Sequence, residues 1–182
     1  MSDGRPWYRE PESFIALAAL VVSLSAVVVG IYEASLQRAH TRAEVWPHME
    51  LSTYVTPQTV SVYVENTGIG PAIIHYAVVS VDDKPAIDWR DALKTLLGAP
   101  PAQFNRLSVA DRSMRAGDKT TVLDVQTSAL PVGFVKTAAR ISVAICYTSV
   151  FGDAWMMTTH LGERNVSKNL DKCPAQPANA DF

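Results

Sequence analysis

The chain has 182 residues, with 16 Lys and Arg against 18 Asp and Glu, a net charge of -2, and 48% hydrophobic residues. That balance excludes the broad basic surface that concentrates nucleic acid or anionic lipid, and the length accommodates one ordinary domain plus an accessory segment. Eleven Pro and nine Gly are average usage and fall between patterned segments, so collagenous and low-complexity chains are excluded too.

Residues 1–13 form a short N-terminal tail, followed by residues 14–32, FIALAALVVSLSAVVVGIY, which carry no charge and 16 apolar side chains in 19. As a helix rising about 1.5 Å per residue this run extends about 28 Å, close to the hydrocarbon thickness of a bilayer. A single transmembrane helix is expected. The run is longer than the apolar stretch of a cleaved signal, and a core helix so apolar on every face would need more surrounding protein than the chain supplies. Trp7, Tyr8 and Tyr32 flank it, where amphipathic rings favour the headgroup boundary.

Ala16, Ala19, Ser23, Ala26 and Gly30 recur at helical spacing along one stripe, which permits close helix approach in lipid; abundant Ala and Ser produce the same pattern without any partner. Residues 33–45 contain good helix formers and no Gly or Pro, so the helix should continue two or three turns as a stalk. Arg5 and Arg9 on one side balance Arg38 and Arg42 on the other, and only the terminal amine tips the count toward a cytoplasmic N-terminus and a periplasmic C-terminal domain. A cytoplasmic domain is the alternative. Cys146 and Cys173 form an even pair, compatible with a disulfide in an oxidising compartment and equally with two reduced thiols.

Residues 46–161 change to period two. In Thr59–Glu65, Val60, Val62 and Val64 share one face of a half-buried strand, and Arg140–Val150 repeats the alternation with Ile141, Val143, Ile145 and Tyr147 inward. Met49–Thr56, Ala72–Val81, Lys119–Val125 and Trp155–Leu161 are further strands, and Phe151-Gly152-Asp153 supplies a hairpin turn. One helix interrupts them at Asp88–Leu97, with Asp88 as N-cap, Ala92, Leu93, Leu96 and Leu97 as its apolar face and Gly98 as its stop; a shorter turn covers Pro131–Ala138. Six or seven antiparallel strands with one short inserted helix fit an immunoglobulin-like β-sandwich, and too few helices separate the strands for a parallel α/β fold. Residues 162–182 are polar and without periodicity, so a flexible tail is expected, stapled by Cys173 to Cys146 if the pair is oxidised.

The segment Asn66-Thr67-Gly68-Ile69-Gly70-Pro71-Ala72 follows a clean strand. Asn66 can bond the backbone two residues on, Gly68 and Gly70 tolerate φ above zero, and Pro71 holds Gly70 extended, so a shaped loop is expected. No Lys-Ser/Thr follows and the segment enters a strand, which argues against a phosphate cradle. With this loop, the span and its stalk up to Arg42-Ala-Glu-Val-Trp-Pro47, and the strand-turn-strand from Cys146 to Trp155, the chain resembles a group of small bacterial membrane proteins. These carry one or two N-terminal spans, a helical stalk and a β-sandwich with an Asn-x-Gly-x-Gly/Thr-Pro-Ala loop. The resemblance implies architecture and no activity.

Chemistry-bearing motifs are sparse. His40, His48, His75 and His160 are scattered, no Cys-x-x-Cys or Gly-x-Ser-x-Gly occurs, and Asp82 with Asp83 sit in a turn sequence. No catalytic residue, metal or cofactor is therefore expected, and nothing in the sequence points to nucleic acid or to a small-molecule substrate. The expected role is a membrane-anchored, non-catalytic sandwich that recognises a protein or surface component, or assembles with itself; the alternative is an accessory or gating subunit acting through its transmembrane helix. The loop at Asn66, Gly68, Gly70 and Pro71 and the hairpin at Phe151, Gly152, Trp155 and Met156 are the expected contact surfaces.

Overall fold

The computed structural model describes residues 11–177. Arg5, Trp7, Tyr8 and Arg9, on which orientation and interfacial anchoring were expected to depend, lie outside the described residues, as do residues 178–182 of the tail. The chain divides into two units, Met1–Ala43 and Glu44–Phe182. In the first, α1 (Pro11–Ala43) joins the expected span and stalk into one helix of 33 residues, about 50 Å long. Pro11 opens it, where a missing N–H costs nothing, and Glu12 in the first turn with His40 and Arg42 in the last complement the helix dipole. Ser23 and Ser25 donate their hydroxyls to the carbonyls of Ala19 and Val21 at 2.8 Å, so neither polar group is left without a bond on an apolar rod. The helix is long and apolar enough to cross a membrane, and its apolar window is not covered by protein.

The second unit is two antiparallel sheets face to face. One has the order β1-β2-β7-β5, from β1 (Met49–Val55), β2 (Thr59–Asn66), β7 (Lys119–Gln126) and β5 (Phe104–Arg106). The other runs β10-β9-β8-β3, from β10 (Val166–Leu170), β9 (Ala154–His160), β8 (Ile141–Thr148) and β3 (Ala72–Val81). Two short strands, β4 (Lys84–Pro85) and β6 (Arg112–Met114), pair with opposite ends of the remaining edge of β3. Four strands against three in this order are the constant-type immunoglobulin arrangement, with β10 added beside the last strand. Strands β4, β5, β6 and β10 were not expected, being too short or too polar to show alternation.

Alternate residues from both sheets fill the interior: Met49 and Leu51, Val60, Val62 and Val64, Ile74, Val79 and Val81, Val143, Ile145 and Tyr147, and Met157 are all buried. Helix α2 (Trp89–Leu97) adds Trp89, Ala92, Leu93 and Leu96 to the same core. Asp88 caps it as expected, accepting from the Asp91 N–H at 2.8 Å, and Gly98 ends it in the left-handed conformation at φ 83° with its N–H bonded to Lys94 O. Such a cap contributes about 1 kcal/mol, less than burial of Leu93 alone, so packing rather than propensity holds this nine-residue helix. A further short helix, α3 (Phe134–Ala138), occupies the turn expected before β8 and buries Phe134.

The expected flexible tail is corrected in part. Val166–Leu170 pairs with β9 from Val166 opposite Thr158 to Leu170 opposite Ala154, and Cys173 is bonded to Cys146 with Cα atoms 5.9 Å apart. Apolar periodicity missed this strand because its side chains are mostly exposed, so its pairing rests on backbone bonds and on the staple rather than on a buried face.

Candidate functional site

The Asn66–Ala72 loop is built around one buried side chain. Asn66 has no solvent exposure; its amide nitrogen donates to Gly70 O at 2.8 Å and to Met114 O at 3.1 Å. Its carbonyl oxygen accepts from the N–H of Gly68 at 3.1 Å and of His48 at 3.2 Å. The last of these reaches the segment that carries the chain from α1 into β1. The same segment receives Thr67 N–H on His48 O at 2.8 Å and Ile69 N–H on Trp46 O at 3.0 Å. The loop is thus a socket in which Val45–His48 is seated.

The glycines serve that seat in a way that corrects the sequence reading. Neither Gly68 nor Gly70 has a positive φ. A Cβ on Gly68 would lie 2.3 Å from His48 N and 2.5 Å from Trp46 O, and one on Gly70 would lie 1.9 Å from Val45 O. Both positions are needed for close approach of two backbones, not for a left-handed turn. The partner segment is some twenty residues earlier, so nothing within the loop sequence announced it.

The Phe151 hairpin lies at the same end of the sandwich, since Met49 pairs with Asn66 and Ile73 with Thr148. Gly152 takes φ 84° and bonds its N–H to Ser149 O, while Ser149 Oγ accepts from Phe151 and Asp153 N–H groups and closes the turn. Of the expected contact residues, Phe151 is 45% exposed, whereas Trp155 points inward and stacks on Tyr147 with ring centroids 5.7 Å apart. Met156 lies opposite Cys146 in the ladder, on a side that is covered: Cys146 and Tyr76 are buried, with Met156, Leu170 and Cys173 packed against them. Met156, expected as a contact residue, is therefore partly taken up by packing within the protein. The small-residue positions Ala16, Ala19, Ser23, Ala26 and Gly30 all lie exposed on α1, and nothing comes within 4 Å of the place a Cβ on Gly30 would take.

Two other polar links tie the sheets. Asn165 donates to Leu51 O and accepts from Leu51 N–H, both at 3.1 Å, which joins the β9–β10 connection to the edge of β1 and engages both the nitrogen and the oxygen of the amide in an Asn-Val-Ser sequence of glycosylation-acceptor pattern. Tyr147 Oη accepts from Met49 N–H at 3.4 Å. Burial pushes this phenol above its ordinary 10.0, against smaller opposing effects of its bonds to Met49 and Ser167. An acid whose folded pKa is raised contributes stability in full below its unfolded pKa and loses it as pH rises through the folded one. The denaturation midpoint should hold to about pH 9.5 and then fall, and Tyr147→Phe should reduce that alkaline fall while costing about 1 kcal/mol at neutral pH. An alkaline profile identical in Tyr147→Phe would show that other groups govern it.

The histidines remain dispersed. His75 bonds Thr148, His48 lies 3.5 Å from Glu50, and His160 lies 3.6 Å from Glu163. Asp82 and Asp83 form the β3–β4 turn with φ of 50° and 62°, and the Arg140 guanidinium engages Asp82 and holds its carboxyl below the usual range. The class defined by these features is an immunoglobulin-type sandwich preceded by a helix long and apolar enough for a membrane. No protein-family profile matches the chain, and a search of curated proteins finds no match.

Proposed function

We propose that the chain is a single-pass membrane protein whose sandwich recognises a protein or surface component without catalysing a reaction. The supporting observation is the socket: the sandwich grips the segment that follows the helix with a buried asparagine and two backbone-to-backbone approaches. Confinement to a membrane raises the effective concentration of the sandwich near membrane partners, so weak contacts suffice. The Cys146–Cys173 bond favours an oxidising side, which in a bacterial inner membrane is the periplasm.

The test is in-cell labelling of Arg164→Cys, an exposed position beside β10, with a membrane-impermeant thiol reagent. Labelling in intact cells is expected; protection until lysis reverses the assignment, and release of the chain from vesicles by alkaline carbonate removes the membrane reading altogether. The uncovered stripe from Ala16 to Gly30 favours a second reading, a subunit whose helix packs within a larger complex. Purification in mild detergent separates the two, because that role requires a stoichiometric heteromeric partner.

A further inference from the structure

The outer face of the β1-β2-β7-β5 sheet carries a cross-strand arrangement that neither the core nor the socket uses. The register places Tyr54 opposite Ser61, Ser61 opposite Asp124, and Asp124 opposite Asn105, so these four side chains form one row across all four strands. In the next row, Ser52 faces Tyr63 and Tyr63 faces Thr121. Tyr54 is 62% exposed and diagonal to Tyr63, a spacing of roughly 7 Å between backbone positions. Beside the Tyr63 ring lies an open concavity of about 410 Å³, lined also by Asn105, Arg106, Leu107, Thr121 and Asp124. Asp124 Oδ1 accepts from the buried Ser61 hydroxyl at 2.5 Å, and nearby Lys119 Nζ lies 4.5 Å over the Tyr63 ring and 3.6 Å from Glu65.

We propose that this face binds an uncharged polysaccharide strand, with the exposed Tyr54 ring as the stacking platform for a sugar ring and Asp124, Asn105 and Thr121, beside the Tyr63 ring, as hydrogen-bonding partners for hydroxyl or acetamide groups. The inference rests on the recognition reading above and names its ligand class. Charge decides against the nearest rivals. Glu50, Glu65 and Asp124 stand here against Lys119 and Arg106, and each of these two cations already holds a carboxylate, Lys119 that of Glu65 and Arg106 that of Asp88, so the face disfavours phosphate-bearing polymers. A cationic peptide finds its best seat already filled, because Lys119 occupies the ring face and the Glu65 carboxylate together. What remains is aromatic surface beside an amide, hydroxyls and one carboxylate, a set that meets the CH faces and hydroxyl edges of neutral sugars.

Calorimetric titration of the full chain in lipid nanodiscs, which avoids sugar-headed detergents, with chitohexaose and cellohexaose tests the assignment. Saturable binding is expected with at least one of them. Tyr54→Ala and Asn105→Ala, both at exposed positions and checked for fold by circular dichroism, should each raise Kd by about tenfold. No heat from either oligosaccharide up to about 10 mM, or binding that both variants leave unchanged, overturns the proposal. Tyr54-dependent binding of an oligolysine peptide in place of the sugars overturns it in favour of a cationic partner. Each failure leaves the membrane-anchored reading standing, since that reading fails by carbonate release and by the labelling pattern instead.

Discussion

Asn66→Ala should cost the sandwich about 3 to 5 kcal/mol, a large share of the stability of an ordinary domain. The side chain is fully buried and makes four bonds, two donated and two accepted. Truncation leaves Gly70 O, Met114 O and the N–H groups of His48 and Gly68 without this partner, and each buried polar group left unmade costs about 1 to 3 kcal/mol. Partial entry of water and relaxation of the loop keep the total below the simple sum. Asn66→Asp should be nearly as severe: it retains the acceptors but places a carboxylate against two carbonyl oxygens. Gly70→Ala tests the other half of the socket. Its added Cβ would sit 1.9 Å from Val45 O, so the linker must move, at a cost of about 1 to 3 kcal/mol. Urea denaturation reads both effects, and Trp46 emission, from the seated segment, should shift at lower denaturant in Gly70→Ala than in the parent. An unchanged midpoint in Gly70→Ala would mean that the loop does not clamp the linker.

The parts of the fold that were legible in the sequence are those where one face is buried and the other is not. Val60, Val62 and Val64 in β2 and the alternation through β8 fixed both strand identity and inward face, because burial on one side of a pleat imposes period two. Asp88 and Gly98 bounded α2 because capping is local chemistry, readable within a few residues. The socket was legible only as a loop. Its glycines answer to Val45–His48, a long-range backbone approach with no local trace, and the familiar use of glycine for positive φ pointed to the wrong cause. The tyrosine rows on the outer sheet were hidden for the same reason: Tyr54, Asp124 and Asn105 come together through register across separate strands, and register is a property of pairing rather than of any one segment. The extra strand β10 escaped notice because an edge strand with an exposed surface has no hydrophobic pattern to display.

Cys173→Ser should lower stability by about 3.5 kcal/mol, the loop-closure value for a bridge spanning 27 residues, and should loosen β10 before the rest of the sandwich. The expectation of local loosening follows from what holds the strand. Its side chains are exposed except for Leu170, which packs with Met156 against buried Tyr76 and Cys146, so little apolar burial opposes fraying once the covalent link is gone. Lys168 and Lys172 flank that contact, and limited trypsin digestion should cut there in Cys173→Ser while sparing the oxidised parent. Resistance equal to the parent's would show that the ladder with β9 holds β10 unaided. The same bond reports the compartment. Alkylation of free thiols in intact cells before lysis should leave Cys146 and Cys173 unmodified if the sandwich folds on an oxidising side, whereas modification of both in the native protein would place it on a reducing side, where the tail depends on noncovalent contacts alone.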